Sequence, residues 1–162
     1  MPALKILQYP DPVLKEKSLE VTAVSEGLKD LIRDLVDTLR SGPGVGLAAP
    51  QVGILKRIIV VDVTSRAAGG GLIILINPVI TASKGSKTVR EGCLSIPEYT
   101  ADVKRAEDVI VEGLDEEGGA VKIASTGLEA IALQHEIDHL DGVLFIDRIE
   151  GVKGLFKRKI RL

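Results

Sequence analysis

From Ser25 onward apolar residues recur at helical spacing. Leu28, Leu31, Ile32, Leu35, Val36 and Leu39 share one stripe, and Lys29, Arg33, Asp34 and Arg40 fall on the other side. Ser25 stands where an N-cap belongs, and Gly42-Pro43 stands as a stop. Before it, "DPVLKEKSLEV" (Asp11 to Val21) predicts a short helix with Pro12 in its first turn. After it, "GPGVGLAAPQVG" (Gly42 to Gly53) is too rich in glycine and proline for a regular element. The pattern then changes to short β-branched runs. "RIIVVDV" (Arg57 to Val63) and "LIILINPVI" (Leu72 to Ile80) predict strands separated by the loop "TSRAAGGG". "DVIVEGL" (Asp108 to Leu114) and "AVKIAS" (Ala120 to Ser125) flank "DEEGG" and predict a hairpin.

Helical period returns in "TGLEAIALQHEIDHLDG", with Ser125 or Thr126 as cap, Glu129 in the first turn and Gly142 at the end. "VLFIDRI" (Val143 to Ile149) predicts one last strand, and "GVKGLFKRKIRL" is basic without a clear period. Strands followed by a helix, without regular alternation, predict an α+β fold: antiparallel strands packed around a central helix, Thr126 to Leu140. No repeat or linker divides the chain, so residues 1–162 are expected to form one catalytic domain with a basic tail from about 151 to 162.

Composition narrows the classes. Hydrophobic residues make up 45% and charged ones 27%, as in globular proteins, and the net charge of −2 gives no general attraction to DNA or an anionic membrane. Aromatics are 2% (Tyr9, Tyr99, Phe145 and Phe156), so the core must be aliphatic and base-stacking platforms are scarce. The single cysteine, Cys93, has no internal disulfide partner. The N-terminus lacks the apolar run of a signal peptide, and no stretch reaches membrane-spanning length, so a cytoplasmic location is expected.

The chemistry concentrates in "QHEIDHLDG" (Gln134 to Gly142), which holds both histidines of the chain. His135 and His139 are four apart, so a helix puts both imidazoles on one face, where they can converge on a metal ion. Glu136 is rotated about 100° from His135, poorly placed as a ligand but able to take a proton from water beside the ion. The third ligand is open at this point. Gly142 matches a longer histidine motif, but Phe145 stands where its third histidine would be. Glu150, Asp141 and Asp147 are downstream candidates, and Cys93 in "EGCLS" is the upstream one.

"GVGLAAPQ" (Gly44 to Gln51), "EGCLS" (Glu91 to Ser95) and "QHEIDHLDG" together resemble the three motifs of the peptide deformylases, in order and spacing. The resemblance implies removal of the N-formyl group from the initiator methionine of new polypeptides, with release of formate. It implies one divalent ion held by Cys93, His135 and His139, with Fe2+ expected in the cell and Zn2+, Ni2+ or Co2+ also suited to this donor set. It makes Glu136 the general acid/base and assigns Gln51 and the backbone N–H of Leu94 to the oxyanion. Glu91 and Gln134 flank the ligands as supporting groups, and Asp138 is expected to orient a histidine. Val45, Gly46, Val89, Leu128, Ile131 and Ala132 would border the substrate channel, and backbone groups of Val45, Gly46 and Gly92 would pair with the extended substrate.

Pro43 and Thr100 replace charged residues that some relatives carry at the channel mouth, which leaves preferences beyond methionine undefined. The cations Lys153, Lys157, Arg158, Lys159 and Arg161 are candidates for contact with ribosomal RNA, set against a plain solvated tail. Two other readings compete. A metallopeptidase cutting internal bonds would leave Cys93 idle, and the intact catalytic positions argue against an inactive nascent-chain-binding homologue.

Overall fold

The computed structural model describes residues 3–149 and 152–158. Helix α1 (Glu26–Arg40) begins where Ser25 Oγ accepts the N–H of Leu28 at 3.2 Å. Its stripe of Leu28, Ile32, Leu35, Val36 and Leu39 is buried. Then come β1 (Gly46–Ala48), a 3-10 turn at Ala49–Val52, β2 (Ile58–Val61), β3 (Ile73–Lys84), β4 (Lys87–Cys93), β5 (Ile96–Arg105), β6 (Asp108–Leu114) and β7 (Ala120–Thr126). Helix α2 (Gly127–Leu140) follows, and β8 (Leu155–Lys157) is the last strand. Two antiparallel sheets result, ordered β1-β2-β3-β6-β7 and β4-β5-β8. The α+β expectation holds, with α2 at the centre.

Strand β2 shows why. Ile58 and Val60 face α1 with Leu35 and Ile76, whereas Ile59 and Val61 face α2 with Leu133 and Ile137. A strand covered on both faces is apolar at every position, hence the unbroken "IIVV". Each such side chain contributes about 1.5–3 kcal/mol by leaving water. Helix α2 is itself covered on nearly all sides, so Gln134, His135, Glu136, Asp138 and His139 are buried along with Leu133 and Leu140. A third cluster under the small sheet joins Cys93, Ile96, Ala101 and Val103 to Leu144 and Phe145.

Several local expectations are corrected. "GPGVGLAAPQVG" contains regular structure after all: Gly46–Ala48 pairs with β2, which supplies the neighbour that glycine-rich backbone needs. "DPVLKEKSLEV" yields a single 3-10 turn, Pro12–Lys15, capped by Asp11. "VLFIDRI" is not a strand. Asp147 Oδ2 accepts the N–H of Leu144 at 2.9 Å and closes a 3-10 turn over Phe145–Arg148, while Leu144 and Phe145 sink into the third cluster. The basic tail is partly strand, because Leu155–Lys157 pairs with Ala101 to Tyr99 of β5. Lys159, Arg161 and Glu150 lie outside the described residues.

Candidate metal centre and catalytic site

The hairpin of β4 and β5 turns at Leu94-Ser95 and delivers Cys93 to the face of α2 that carries the histidines. Cys93 Sγ is 3.3 Å from His139 Nε2, which is 3.3 Å from His135 Nε2. All three donor atoms lie within 4.8 Å of one another. Donors bound tetrahedrally at roughly 2.0–2.3 Å stand roughly 3.3–3.6 Å apart, so the set fits a single divalent ion. Two N–H groups point at the sulfur, Ser95 N at 3.4 Å and Gln51 Nε2 at 3.6 Å, and complement the negative charge of a ligating thiolate. The other third-ligand candidates among the described residues are engaged elsewhere: Asp141 with Arg57, and Asp147 with Lys15.

His135 Nδ1 donates to Glu91 Oε1 at 2.8 Å, which leaves the lone pair of Nε2 facing the other two donors. Glu91 is held in turn by Arg105, which donates from Nε at 2.6 Å and from Nη2 at 2.9 Å. Burial opposes the Glu91 carboxylate, but Arg105 and His135 outweigh it and hold its pKa at about 2. Arg105 Nη1 also donates to Asp138 Oδ2 at 2.6 Å, and Arg148 closes the row on both Asp138 oxygens at 2.5 and 2.7 Å. Asp138 thus reaches arginines rather than a histidine, contrary to the expectation from sequence. Among the described residues the Gln134 amide makes no hydrogen bond to Cys93, His135 or His139. It joins α2 to the backbone of Ala106, accepting at 2.9 Å and donating at 3.0 Å. His139 Nδ1 is buried without a hydrogen-bond partner among the described residues.

Glu136 is 4% exposed, and its Oε1 has no hydrogen-bond partner among the described residues. Burial pushes its pKa up to about 7. Strand β1 runs against it so closely that a Cβ on Gly46 would meet Glu136 Oε2 at 2.5 Å. Gln51 is fixed by its own carbonyl oxygen, which accepts the N–H of Ala48 at 2.9 Å, while its amide nitrogen donates to Ser95 Oγ at 3.1 Å beside the sulfur.

These groups floor a cavity of about 230 Å³. Gln51, Cys93, Leu94, His135 and Glu136 line it, together with Glu91 and all seven residues expected along the channel: Val45, Gly46, Val89, Gly92, Leu128, Ile131 and Ala132. His139 lies behind this lining, and Arg66 and Arg90 are additional on the rim. A wider hollow of about 400 Å³ over β3, β6 and β7 contains none of the three clustered donors.

The chain matches the family model described as polypeptide deformylase over residues 3–154. The chain belongs to the peptide deformylase family. A peptide deformylase from Thermodesulfovibrio yellowstonii is 51% identical over 162 residues, covering 99% of this chain and 98% of its own. The crystal structure of the deformylase from Legionella pneumophila superposes with a TM-score of 0.87 at 42% identity, covering 94% of this chain and 89% of that one. That from Synechococcus elongatus in complex with actinonin gives 0.87 at 41% identity, covering 94% and 82%. The chain is therefore an enzyme of the kind that hydrolyses N-formyl groups.

Sequence reasoning missed Arg105, Arg148 and Ser95. Arg105 left a signal: it falls in phase with the buried Ala101 and Val103 of β5, so it had to point inward and find acids there.

Proposed function

We propose that this deformylase removes the formyl group from the N-terminal methionine of newly made polypeptides, with Cys93, His135 and His139 holding one divalent ion. The convergence of these three donors beside a buried carboxylate, one of whose oxygens has no hydrogen-bond partner among the described residues, carries the reading. An ion with three protein ligands keeps a position open, where it supplies Lewis acidity and lowers the pKa of water.

The chain does the rest. Glu136 takes the proton of the attacking water and hands it to the leaving amine as the formyl C–N bond breaks, giving formate and a free N-terminus. In the metal-free protein burial holds its pKa at about 7, and a bound cation lowers it, which favours the carboxylate that accepts the proton. Gln51 Nε2 and the N–H of Leu94 donate to the oxyanion as it develops. Val89, Leu128, Ile131 and Ala132 take the methionine side chain, and backbone groups of Val45, Gly46 and Gly92 pair with the extended peptide. Glu91 orients His135, with Arg105 and Asp138 behind it.

The ion in the cell is Fe2+ on this reading, and a thiolate with two imidazoles also accepts Zn2+, Ni2+ or Co2+. An iron-thiolate site is open to oxygen, so the iron form should lose activity in air with oxidation at Cys93. An air-stable iron form with Cys93 still reduced would remove iron from the account. Action on nascent chains also places the protein in the cytoplasm. Exposed Lys153, Lys157 and Arg158 support a contact of the basic end with ribosomal RNA. Such binding weakens steeply with salt, and salt-independent binding speaks against it.

Metal content and formate release, measured together on variants, test the division of labour. Glu136→Ala should retain its metal and lose about 10²–10⁴-fold in turnover. Cys93→Ala should lose metal, and full metal in that variant would overturn the ligand set.

A further inference from the structure

The rim of the cavity carries two arginines that the deformylation chemistry does not use, Arg66 and Arg90. Arg90 is already matched. Its Nε donates to Asp102 at 2.8 Å, and its guanidinium lies 3.6 Å over the ring of Phe156. Arg66 is exposed, and among the described residues no carboxylate pairs with it.

Its position is nevertheless built. The N–H groups of Arg66 and Ala67 both donate to Val63 O, at 2.8 and 2.9 Å, which turns the chain at the end of the β2 segment. Farther along the same loop, Gly70 N–H donates to the buried carboxylate of Glu129 at 2.7 Å. Arg66 Nη2 donates to the carbonyl of Pro43 at 2.8 Å, just before the Gly44 to Gly46 wall of the cavity. One nitrogen thus anchors the cation while the other donors of its fork stay open.

We propose that Arg66 is a specificity-determining residue that binds a carboxylate side chain of the substrate downstream of its methionine. This rests on the deformylation reading above. Gly46 abuts Glu136, and Pro43 lies three residues back along the wall, through bends at Pro43 and Val45, hence at most about 10 Å away along the chain. A substrate strand paired along that wall reaches Arg66 with the second or third residue after methionine. Guanidinium and carboxylate form a charge-assisted pair. Because the pair is exposed, its effect is about two- to fivefold and fades with salt.

The test compares formate release by the metal-loaded enzyme from formyl-Met-Ala-Glu-Glu-amide, the Gln-Gln peptide and the Lys-Lys peptide. The amide leaves the side chains as the only carboxylates. Wild type should rank Glu above Gln above Lys in kcat/KM, chiefly through KM, and the spread should narrow at high salt. Arg66→Gln should bring the Glu and Gln peptides level, and Arg66→Glu should reverse the order. If Arg66 merely steadies Pro43, its variants will slow all three peptides by one factor and keep the wild-type order, which overturns the proposal. Formate release without a Glu preference in wild type overturns it equally, while deformylation stands. No formate from any peptide means that the deformylation reading itself has failed.

Discussion

Glu91 and Glu136 are buried glutamates that line the cavity with His135, and their surroundings drive their titrations apart. Glu91 is held at about 2 by Arg105 and His135 against its burial, and burial raises Glu136 to about 7. The linkage signs follow. Glu91 titrates below its ordinary 4.5 in the folded state, so its stabilisation is present above 4.5 and lost as pH falls toward 2. Acid should therefore weaken wild type more steeply than Glu91→Gln in that window, by a few kcal/mol. Denaturant midpoints against pH check this, and parallel curves would contradict it. Glu136 has the opposite sign. Its folded value lies above 4.5, so metal-free protein should lose stability as pH rises from 4.5 to about 7, and Glu136→Gln should flatten that slope. Arg105→Ala leaves Glu91 without its guanidinium and strips Asp138 of one of its two. Losing one partner of a buried ion pair costs about 3–5 kcal/mol, and a loss under about 1 kcal/mol in chemical denaturation would mean that water repairs the row.

At the scale of elements, β1 sets the distance between the cavity wall and the Glu136 carboxylate. Gly46→Ala should fold and bind metal, because the clash falls on the Glu136 side chain and not on a ligand. Displacing a catalytic group by about 1 Å can cost about 10²-fold, so on the role proposed for Glu136 kcat/KM should drop by about that factor. An unchanged rate at full metal content would show that Glu136 relocates freely. Elements with uniform pattern were legible in the chain: the α1 stripe, the β6-β7 hairpin and the α2 histidines follow period 3.6 or 2 with recognisable caps and turns. The β4-β5 hairpin was not anticipated. Its inward positions include Glu91, Cys93 and Arg105, so the alternation of apolar and polar residues is broken by the very groups that build the site. Strand β1 hid for a related reason, since its glycine is there for close approach. The three donors were named from sequence once the motifs were seen together, but the row from Arg148 to Glu91 depends on contacts between distant segments that no local pattern displays.

At the scale of the molecule, the two sheets divide the work. The large sheet and α1 cover α2 with aliphatic side chains, and the small sheet brings Cys93 across to its histidines. The cavity between them is lined by Cys93 together with the apolar Val89, Leu128 and Ile131. A formyl carbon carries only hydrogen, so it can enter beside the clustered donors, whereas an acetyl carbon brings a methyl group and an internal peptide bond a whole residue. Apolar pockets discriminate by about 1–3 kcal/mol per methylene, so exchanging methionine for glycine should slow the reaction moderately. Exclusion at the reacting carbon is steric and should be steeper. The most direct measurement is mass spectrometry of the metal-loaded enzyme acting on formyl-Met-Ala-Ser, formyl-Gly-Ala-Ser, acetyl-Met-Ala-Ser and unblocked Met-Ala-Ser. Rapid formate release from the first, slower release from the second, almost no deacylation of the third and an uncut fourth are expected. Internal cleavage products without formate would contradict the account.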